Sequence, residues 1–178
     1  MKSNLNNLAK LKGQYPNQHI PYQQLLGTQE WNVKRDAIVR RDKDVCTKCG
    51  TESTQLAWNS GKAFNILSYT FGPGPNDYQA MEVDKPIVLH VHHLYYVLSK
   101  YPWEYEDRAL VTLCNNCHLE IHKVEIIPVY EIKEGERMKI PVSTCSRCHG
   151  AGYFPQYNHV EAGVCFQCRG ERYTNLTL

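Results

Sequence analysis

The sequence predicts a small α+β fold built around bound metal ions. Three observations predict it: a helical pattern of apolar residues over residues 21–45, strand-like segments at residues 86–92 and 110–113, and eight cysteines that all fall in Cys-x-x-Cys pairs. A chain of 178 residues has room for one domain or two small ones. Its hydrophobic content of 42% is typical of a folded protein and excludes a disordered chain.

The helical region opens with a short segment after Pro21 and continues as a longer helix. Thr28 is a candidate N-cap, and Glu30 follows in the first turn, where a negative charge is favourable. Apolar residues then recur at a spacing of three and four, which places them on one stripe. The stripe consists of Trp31, Ile38 and Val39. We expect this helix to end at residues 41–44.

The next region, residues 51–85, is rich in turn-forming residues and predicts short strands or an inserted loop. Residues 86–92 and 110–113 alternate well enough to predict two strands, and a helix follows at residues 118–123. The aromatic segment between the two strands, residues 94–108, is expected to form a packed loop. Prolines bracket residues 129–140, which predict a strand or hairpin.

The cysteines form four pairs, and each pair has the spacing of a zinc knuckle. The pairs are Cys46/Cys49, Cys114/Cys117, Cys145/Cys148 and Cys165/Cys168. Two knuckles together complete a tetrahedral zinc site, whereas disulfides do not require this spacing and need an oxidising compartment. We therefore expect two structural Zn²⁺ ions. The last two pairs have the spacing of one four-Cys site, so the first two would form the other and close a long loop.

Positive charge is concentrated at the start of the chain. Residues 1–50 hold nine Lys or Arg against four Asp or Glu, a net charge of +5, although the whole chain carries only +2. This distribution suits a polyanionic partner such as DNA, and a solvated helix face is the alternative. The candidate phosphate contacts are Arg35, Arg40, Arg41 and Lys43.

Four of the eight histidines form two close groups. His118 and His122 lie four residues apart and share one face of the predicted helix, which makes them half of a divalent-metal site. His92 and His93 close a strand, where neighbouring side chains point to opposite faces. Both can serve one site only if the strand ends or bulges there; alternatively, His90 and His92 share the site face. The other interpretation is that these histidines only line the core or a zinc site.

These motifs follow one another in a characteristic order. They are Trp31, Arg35, Ile38, Arg41-Asp42, Cys46-x-x-Cys49-Gly50, Val91-His92-His93-Leu94 and Leu110-Val-Thr-Leu-Cys114-x-x-Cys117-His118-x-x-x-His122. In this order they resemble the HNH endonuclease family over about residues 22–123. The resemblance implies a small ββα-metal (His-Me finger) nuclease core, preceded by N-terminal helices, in which two strands and a helix grip one divalent ion. A four-Cys structural zinc would brace that core.

The resemblance also implies the catalytic roles. His93 corresponds to the general base that activates water, and His92, His118 and His122 correspond to the ligands of a catalytic metal, which would be Mg²⁺, Mn²⁺, Ni²⁺ or Zn²⁺. A divalent ion and a neutral imidazole suit phosphodiester hydrolysis, which needs charge stabilisation and a proton acceptor. The family's central Asn is replaced by Ala109, so Asp107 or a backbone carbonyl is expected to brace the loop. DNA is the implied substrate, nicked by a monomer or cut on both strands by a homodimer.

The C-terminal segment contains an internal repeat of the knuckle. Its two copies are Cys145-Ser-Arg-Cys148-His-Gly150-Ala-Gly152 and Cys165-Phe-Gln-Cys168-Arg-Gly170-Glu-Arg172. They resemble one zinc-binding half of the Cys-rich domain of DnaJ chaperones, and the final glycine of that pattern is replaced here by Arg172. A purely structural knuckle is one interpretation. The other interpretation is a module that binds nucleic acid or a partner protein, with aromatic side chains that stack on bases. These side chains are Tyr153, Phe154, Tyr157 and Phe166.

The expected organisation is an N-terminal extension (residues 1–21), an HNH nuclease domain (22–124), a linker or hairpin (125–142) and a zinc-binding module (143–174). The predicted function is a metal-dependent DNA endonuclease. The alternatives are a catalytically inactive zinc-bound module that binds DNA or protein, and a chaperone-like scaffold. No segment has the length of a membrane-spanning helix or the pattern of a secretory signal, so no membrane association and a cytoplasmic location are expected.

Overall fold

A computed structural model of the chain describes residues 6–56, 63–67, 79–82, 87–154, 157 and 160–176. Within these residues the fold is mixed α+β, as predicted. The helices are α1 (Leu8–Gln14), α2 (Tyr22–Leu25), α3 (Gln29–Arg41) and α4 (Asn115–Val124). None of these helices is long and apolar enough to cross a membrane.

The described strands form three small sheets. The strands are β1 (Gln55–Leu56), β2 (Ala63–Leu67), β3 (Gln79–Glu82), β4 (Leu89–His93), β5 (Tyr96–Val97), β6 (Leu110–Cys114), β7 (Val129–Lys133) and β8 (Glu136–Ile140). The sheet orders are β1-β2-β3, β4-β6 and β5-β7-β8. No sheet here exceeds three strands, so packing between elements has to supply much of the stability.

Helix α3 forms as the sequence predicts. The hydroxyl of Thr28 accepts a hydrogen bond from the Trp31 N–H at 3.3 Å, which satisfies one of the free donors at the start of the helix. Trp31 and Ile38 are buried in the same cluster as Val91 from β4, and Val39 packs against that cluster. The apolar stripe is therefore the face of α3 that packs against the domain.

Helix α1 lies in the predicted N-terminal extension and is not predicted from the sequence. Asn7 caps it by accepting a hydrogen bond from the Lys10 N–H at 2.8 Å. Its single buried residue, Leu11, packs with Ile20 and Leu25. With only one buried side chain, the helix has no apolar stripe that periodicity can detect.

The central unit is the antiparallel pair of β4 and β6, paired over all five residues of each strand. Both α3 and α4 pack against this pair. Because side chains alternate along a strand, neighbouring residues of β4 face different helices. His93 stacks on Trp31 of α3, and His92 contacts His118 of α4. Both predicted strands are thus present, with bounds shifted by one to three residues.

The hairpin predicted at residues 129–140 is also present, as the antiparallel pair β7 and β8. It does more than link two parts of the chain, because β7 pairs in parallel with β5. Strand β5 lies inside the segment predicted to be a packed loop. Two residues are too short for a strand pattern to appear in the sequence, and the pairing that stabilises β5 comes from more than thirty residues further along the chain.

Three antiparallel strands lie in the turn-rich region at residues 51–85, where the sequence predicts either short strands or an inserted loop. They are β1, β2 and β3. The glycine at residue 61 and the turn at residues 71–77 lie outside the described residues.

The two C-terminal knuckles have nearly the same backbone conformation. Gly152 ends the first knuckle at φ +79°, and Arg172 ends the second at φ +71°. The knuckles approach each other closely here, since a Cβ on Gly152 would lie 2.9 Å from the carbonyl oxygen of Gly170. Glycine at this position therefore satisfies both a left-handed backbone and a backbone contact.

We expect Gly152→Ala to lower the free energy of unfolding by about 1–3 kcal/mol, because it combines a strained φ with a clash against backbone. Gly13→Ala is the matched control, since a Cβ on Gly13 meets nothing within 4 Å and alanine favours the helix. Thermal unfolding of both variants, with zinc content measured alongside, checks the prediction. Equal stability of the two variants would contradict the close approach.

Candidate metal and catalytic site

The first four-Cys cluster joins the end of α3 to the start of α4. Its ligand atoms, from Cys46, Cys49, Cys114 and Cys117, all lie within 4.8 Å of one another. The Sγ atoms of Cys49 and Cys114 are 3.7 Å apart. Tetrahedral zinc with Zn–S bonds of about 2.3 Å places its sulfurs about 3.8 Å apart, whereas a disulfide requires about 2.05 Å. The geometry is therefore that of a zinc site.

The local structure prepares one of these thiols, Cys49, for a metal. Hydrogen bonding to the side chain and backbone of Thr51 lowers the pKa of Cys49 to about 6, which favours the thiolate that zinc binds. The Sγ of Cys114 accepts a hydrogen bond from the Cys117 N–H at 3.5 Å and so caps α4. The same residue thus starts the helix and belongs to the cluster.

The second four-Cys cluster holds the two C-terminal knuckles together. Its ligand atoms also lie within 4.8 Å of one another, and they come from Cys145, Cys148, Cys165 and Cys168. The Sγ separations across the knuckles are 3.8 Å and 3.7 Å, again the spacing that tetrahedral zinc requires. The predicted pairing of the eight cysteines matches both clusters, which are compatible with two structural zinc ions.

Three histidines form a third cluster. His92 from β4 meets His118 and His122 from α4, with one ligand atom from each within 4.8 Å of the others. The Nε2 atoms of His118 and His122 are 3.3 Å apart, which is the separation of two imidazoles on one tetrahedral metal with bonds of about 2.0–2.1 Å. Among the described residues the buried Nδ1 atoms of His92 and His122 have no hydrogen-bond partner, although Nε2, not Nδ1, is the His122 atom that faces His118. It is the convergence of one ring nitrogen from each residue that fits a divalent metal.

Burial keeps these histidines in the metal-binding form. Desolvation lowers the pKa of His92 to about 4 and that of His122 to about 3, and it lowers the pKa of His118 well below its ordinary value. All three imidazoles are consequently neutral at neutral pH. Neutral imidazole is the form that binds metal.

His93 lies next to this cluster but is held by different contacts. Its Nε2 donates a hydrogen bond to the Pro102 carbonyl oxygen at 2.9 Å, and its Nδ1 lies 3.4 Å from the Tyr22 hydroxyl. The ring stacks on Trp31 and Tyr96, with centroids 5.3 Å and 5.4 Å away. Since a carbonyl only accepts, the proton is on Nε2 and the Nδ1 lone pair is free to accept one.

The four histidines line one cavity of about 290 Å³. His92 and His93 keep the alternation of β4, with His92 against α4 and His93 against α3, and both rings still border the cavity. Burial lowers the pKa of His93 to about 3. The cavity thus brings together three histidines that could hold a metal ion and a neutral imidazole whose tautomer is fixed.

His90 occupies the same face of β4 as His92, as one of the sequence-based alternatives predicts. It stacks on His118 with centroids 5.3 Å apart, and its Nδ1 lies 2.7 Å from the hydroxyl of Tyr153. It lines the cavity without joining the three-ligand cluster. The alternation of β4 is the sequence signal that places it here.

The predicted phosphate contacts have different environments. Arg35 lines the cavity. Arg41 donates hydrogen bonds to the carboxylate of Asp42 and to the carbonyl oxygens of Asp107 and Leu110. The remaining two, Arg40 and Lys43, are exposed and do not line the cavity.

The loop around Ala109 is braced by its own backbone. The Leu94 N–H donates to the Ala109 carbonyl oxygen at 2.9 Å, in addition to the hydrogen bonds from Arg41. The carboxylate of Asp107 pairs with Lys34 and does not line the cavity. Backbone carbonyl groups therefore brace this loop, and the Pro102 carbonyl orients His93.

The sequence does not place several residues at or near the cavity, because their positions depend on backbone groups or on distant parts of the chain; Tyr153 is predicted only as a candidate for stacking on bases. Pro102 acts through a carbonyl oxygen, which has no sequence signature. Tyr22 belongs to α2, and Tyr153 and Arg172 come from the C-terminal knuckles. The substitution of arginine for the repeat's final glycine is the signal that could have identified Arg172.

Comparison of the chain with protein-family models, with curated proteins and with solved structures finds no match. The chemistry of the cavity and of the three groups of candidate metal ligands is consequently the basis for a functional conclusion.

We expect the purified protein to contain two tightly bound zinc ions per chain. Cys114→Ser should remove one of them and lower the thermal midpoint, because the first cluster ties α3 to α4. Cys168→Ser should remove the other. Elemental analysis with native mass spectrometry checks both variants, and retention of two zinc ions by either one would contradict the corresponding cluster.

We expect a third divalent ion to bind at the histidine cluster. Co²⁺ added to the zinc-loaded protein should give the visible absorption of a site with nitrogen ligands, and His118→Ala should abolish it. His149→Asn is the control, because His149 is an exposed histidine at φ +52°, a conformation that asparagine tolerates. An unchanged Co²⁺ spectrum in His118→Ala would exclude this cluster as the binding site.

Proposed function

We propose that the protein is a metal-dependent endonuclease of the HNH type that hydrolyses phosphodiester bonds in DNA. The observation that carries the proposal is the cavity itself, in which His93, held by the Pro102 carbonyl, lies beside the cluster of His92, His118 and His122. Strands β4 and β6 with helix α4 supply these residues. That arrangement agrees with the ββα-metal core that the sequence resemblance implies.

Hydrolysis requires a water molecule to attack phosphorus while the 3′-oxygen leaves with the bonding electrons. A divalent ion on the three histidines would supply Lewis-acid stabilisation of the negative charge that develops on the phosphate. The histidines come from two elements, and α4 is anchored at Cys114 and Cys117, which lie just before His118. The ligand positions are therefore fixed before any substrate binds.

His93 has the geometry of the general base. Its Nε2–H is held by the Pro102 carbonyl, which leaves Nδ1 to take the proton from water. The Tyr22 hydroxyl now lies at hydrogen-bond distance from Nδ1 and marks the position that water would take. Burial lowers the pKa of His93, and the negative charge of a bound phosphate would raise it again.

DNA is the substrate that the charge distribution supports. Arg35 lines the cavity and can reach a phosphate there, while Arg40 and Lys43 are exposed and remain candidates for flanking phosphates. One active site cuts one strand, so a monomer would nick and a homodimer would cut both strands.

A catalytically inactive zinc-bound module that binds DNA or protein is the second candidate. Two observations favour it: Ala109 replaces the family's Asn, and His93 is only 2% exposed beneath a layer of aromatic rings. This candidate predicts binding without cleavage and no dependence on added divalent metal.

We expect the protein to nick supercoiled plasmid DNA in the presence of Mg²⁺, Mn²⁺, Ni²⁺ or Zn²⁺. His93→Asn should reduce the rate about 10²–10⁴-fold, because asparagine has no basic nitrogen to accept the proton of water. His149→Asn, at an exposed site, should leave the rate unchanged.

The nicking assay also separates the two candidates. DNA binding without cleavage in any metal, by protein that holds two zinc ions, would overturn the nuclease and favour the binding module. Equal rates for His93→Asn and His149→Asn would show that His93 is not the base.

A further inference from the structure

Arg172 has a backbone conformation that its place in the repeat reserves for glycine. The two knuckles superpose residue by residue in φ: His149 and Arg169 have +52° and +51°, and Gly152 and Arg172 have +79° and +71°. A left-handed φ is unfavourable for a residue with a Cβ. The first knuckle has glycine at this position, so the arginine of the second knuckle is held in a backbone conformation that its own side chain disfavours.

The side chain of Arg172 is buried and has no carboxylate partner in the part of the chain that the structure describes. The residue is 8% exposed, and its guanidinium carbon lies 3.6 Å from the ring centroid of Tyr22 and 3.8 Å from that of Tyr96. Its Nε and Nη1 atoms are buried with no hydrogen-bond partner. The neighbouring carboxylate, Glu171, pairs with His19 instead. Aromatic rings hold the cation in place but leave two of its three nitrogens without a hydrogen-bond partner among the described residues, which favours binding of an anion.

This unsatisfied cation lies at the proposed catalytic site. Arg172 lines the same cavity as the four histidines. Both aromatic rings that clamp it also contact His93, because Tyr96 stacks on the imidazole and the Tyr22 hydroxyl lies 3.4 Å from Nδ1. An anion bound by Arg172 would therefore lie next to the proposed base.

We infer that Arg172 is a phosphate-binding residue, so that the C-terminal zinc module completes the catalytic site; this inference rests on the proposed nuclease function. The guanidinium presents paired N–H groups that match two oxygens of a phosphodiester, and its charge is retained at any physiological pH. The second four-Cys cluster then has a defined structural role. It holds the knuckle that carries Arg172 against the cavity.

A pair of glycine variants tests the inference. Arg172→Gly restores the glycine of the repeat and relieves the strained φ, so the knuckle should still fold and hold zinc. Arg169→Gly is the matched control, because Arg169 belongs to the same knuckle, also has a positive φ and is exposed. Arg172→Lys retains the charge but not the paired donors.

Binding is measured by fluorescence anisotropy of a short labelled DNA duplex across a range of salt concentrations. All variants are made in the His93→Asn background, so that cleavage does not interfere. We expect Arg172→Gly to weaken binding about 10- to 100-fold and to reduce the slope of log Kd against log salt by about one, with Arg172→Lys between it and the parent. Arg169→Gly should change the affinity less than about threefold.

The outcomes distinguish failure of this inference from failure of the nuclease. Equal affinities and salt slopes for the two glycine variants, with two zinc ions in each, would overturn the phosphate site, as would normal nicking by Arg172→Gly in the otherwise unmodified protein. A loss of binding specific to Arg172→Gly supports the phosphate site even if the unmodified protein cuts no DNA. Failure of every variant to bind the duplex would overturn both proposals.

Discussion

The tetrahedral arrangement of the first four thiols is the constraint on which the rest of the site depends. Cys46 follows α3, whereas Cys114 ends β6 and caps α4, so one cluster fixes the relative positions of two helices and a sheet. A pair of five-residue strands is marginally stable by itself, so a metal site would add to the apolar packing of the two helices against it. Because α4 begins at the cluster, the direction in which His118 and His122 point is set by the same four sulfurs.

Desolvation of the histidines is the second physical constraint on the site. The histidines of the cavity remain neutral because their surroundings disfavour the imidazolium, and two ring nitrogens are buried without a partner. In a structure without metal these groups are a net cost. A bound divalent ion and a bound phosphate would each compensate part of that cost, so the ligands that the chemistry needs are also the ones that the buried groups favour.

Local signals explain why much of this architecture could be predicted from the sequence. Thr28 caps α3, the spacing of His118 and His122 places them on one helix face, and the Cys-x-x-Cys pairs identify both thiolate clusters. What could not be predicted depends on contacts between distant segments. The two residues of β5 become a strand only by pairing with β7, and the Pro102 carbonyl that orients His93 is a backbone group.

The two four-Cys clusters differ in what they position. The first lies at the base of the helix that carries two of the three clustered histidines, whereas the second holds a knuckle that carries a cation. A solvated arginine on the surface would be screened and mobile, but a guanidinium clamped between Tyr22 and Tyr96 is neither. The replacement of glycine by Arg172 is unfavourable within the knuckle itself. It is explained when the knuckle and the cavity are considered as one site. The backbone strain lies in the module, whereas the phosphate that Arg172 would bind lies beside His93.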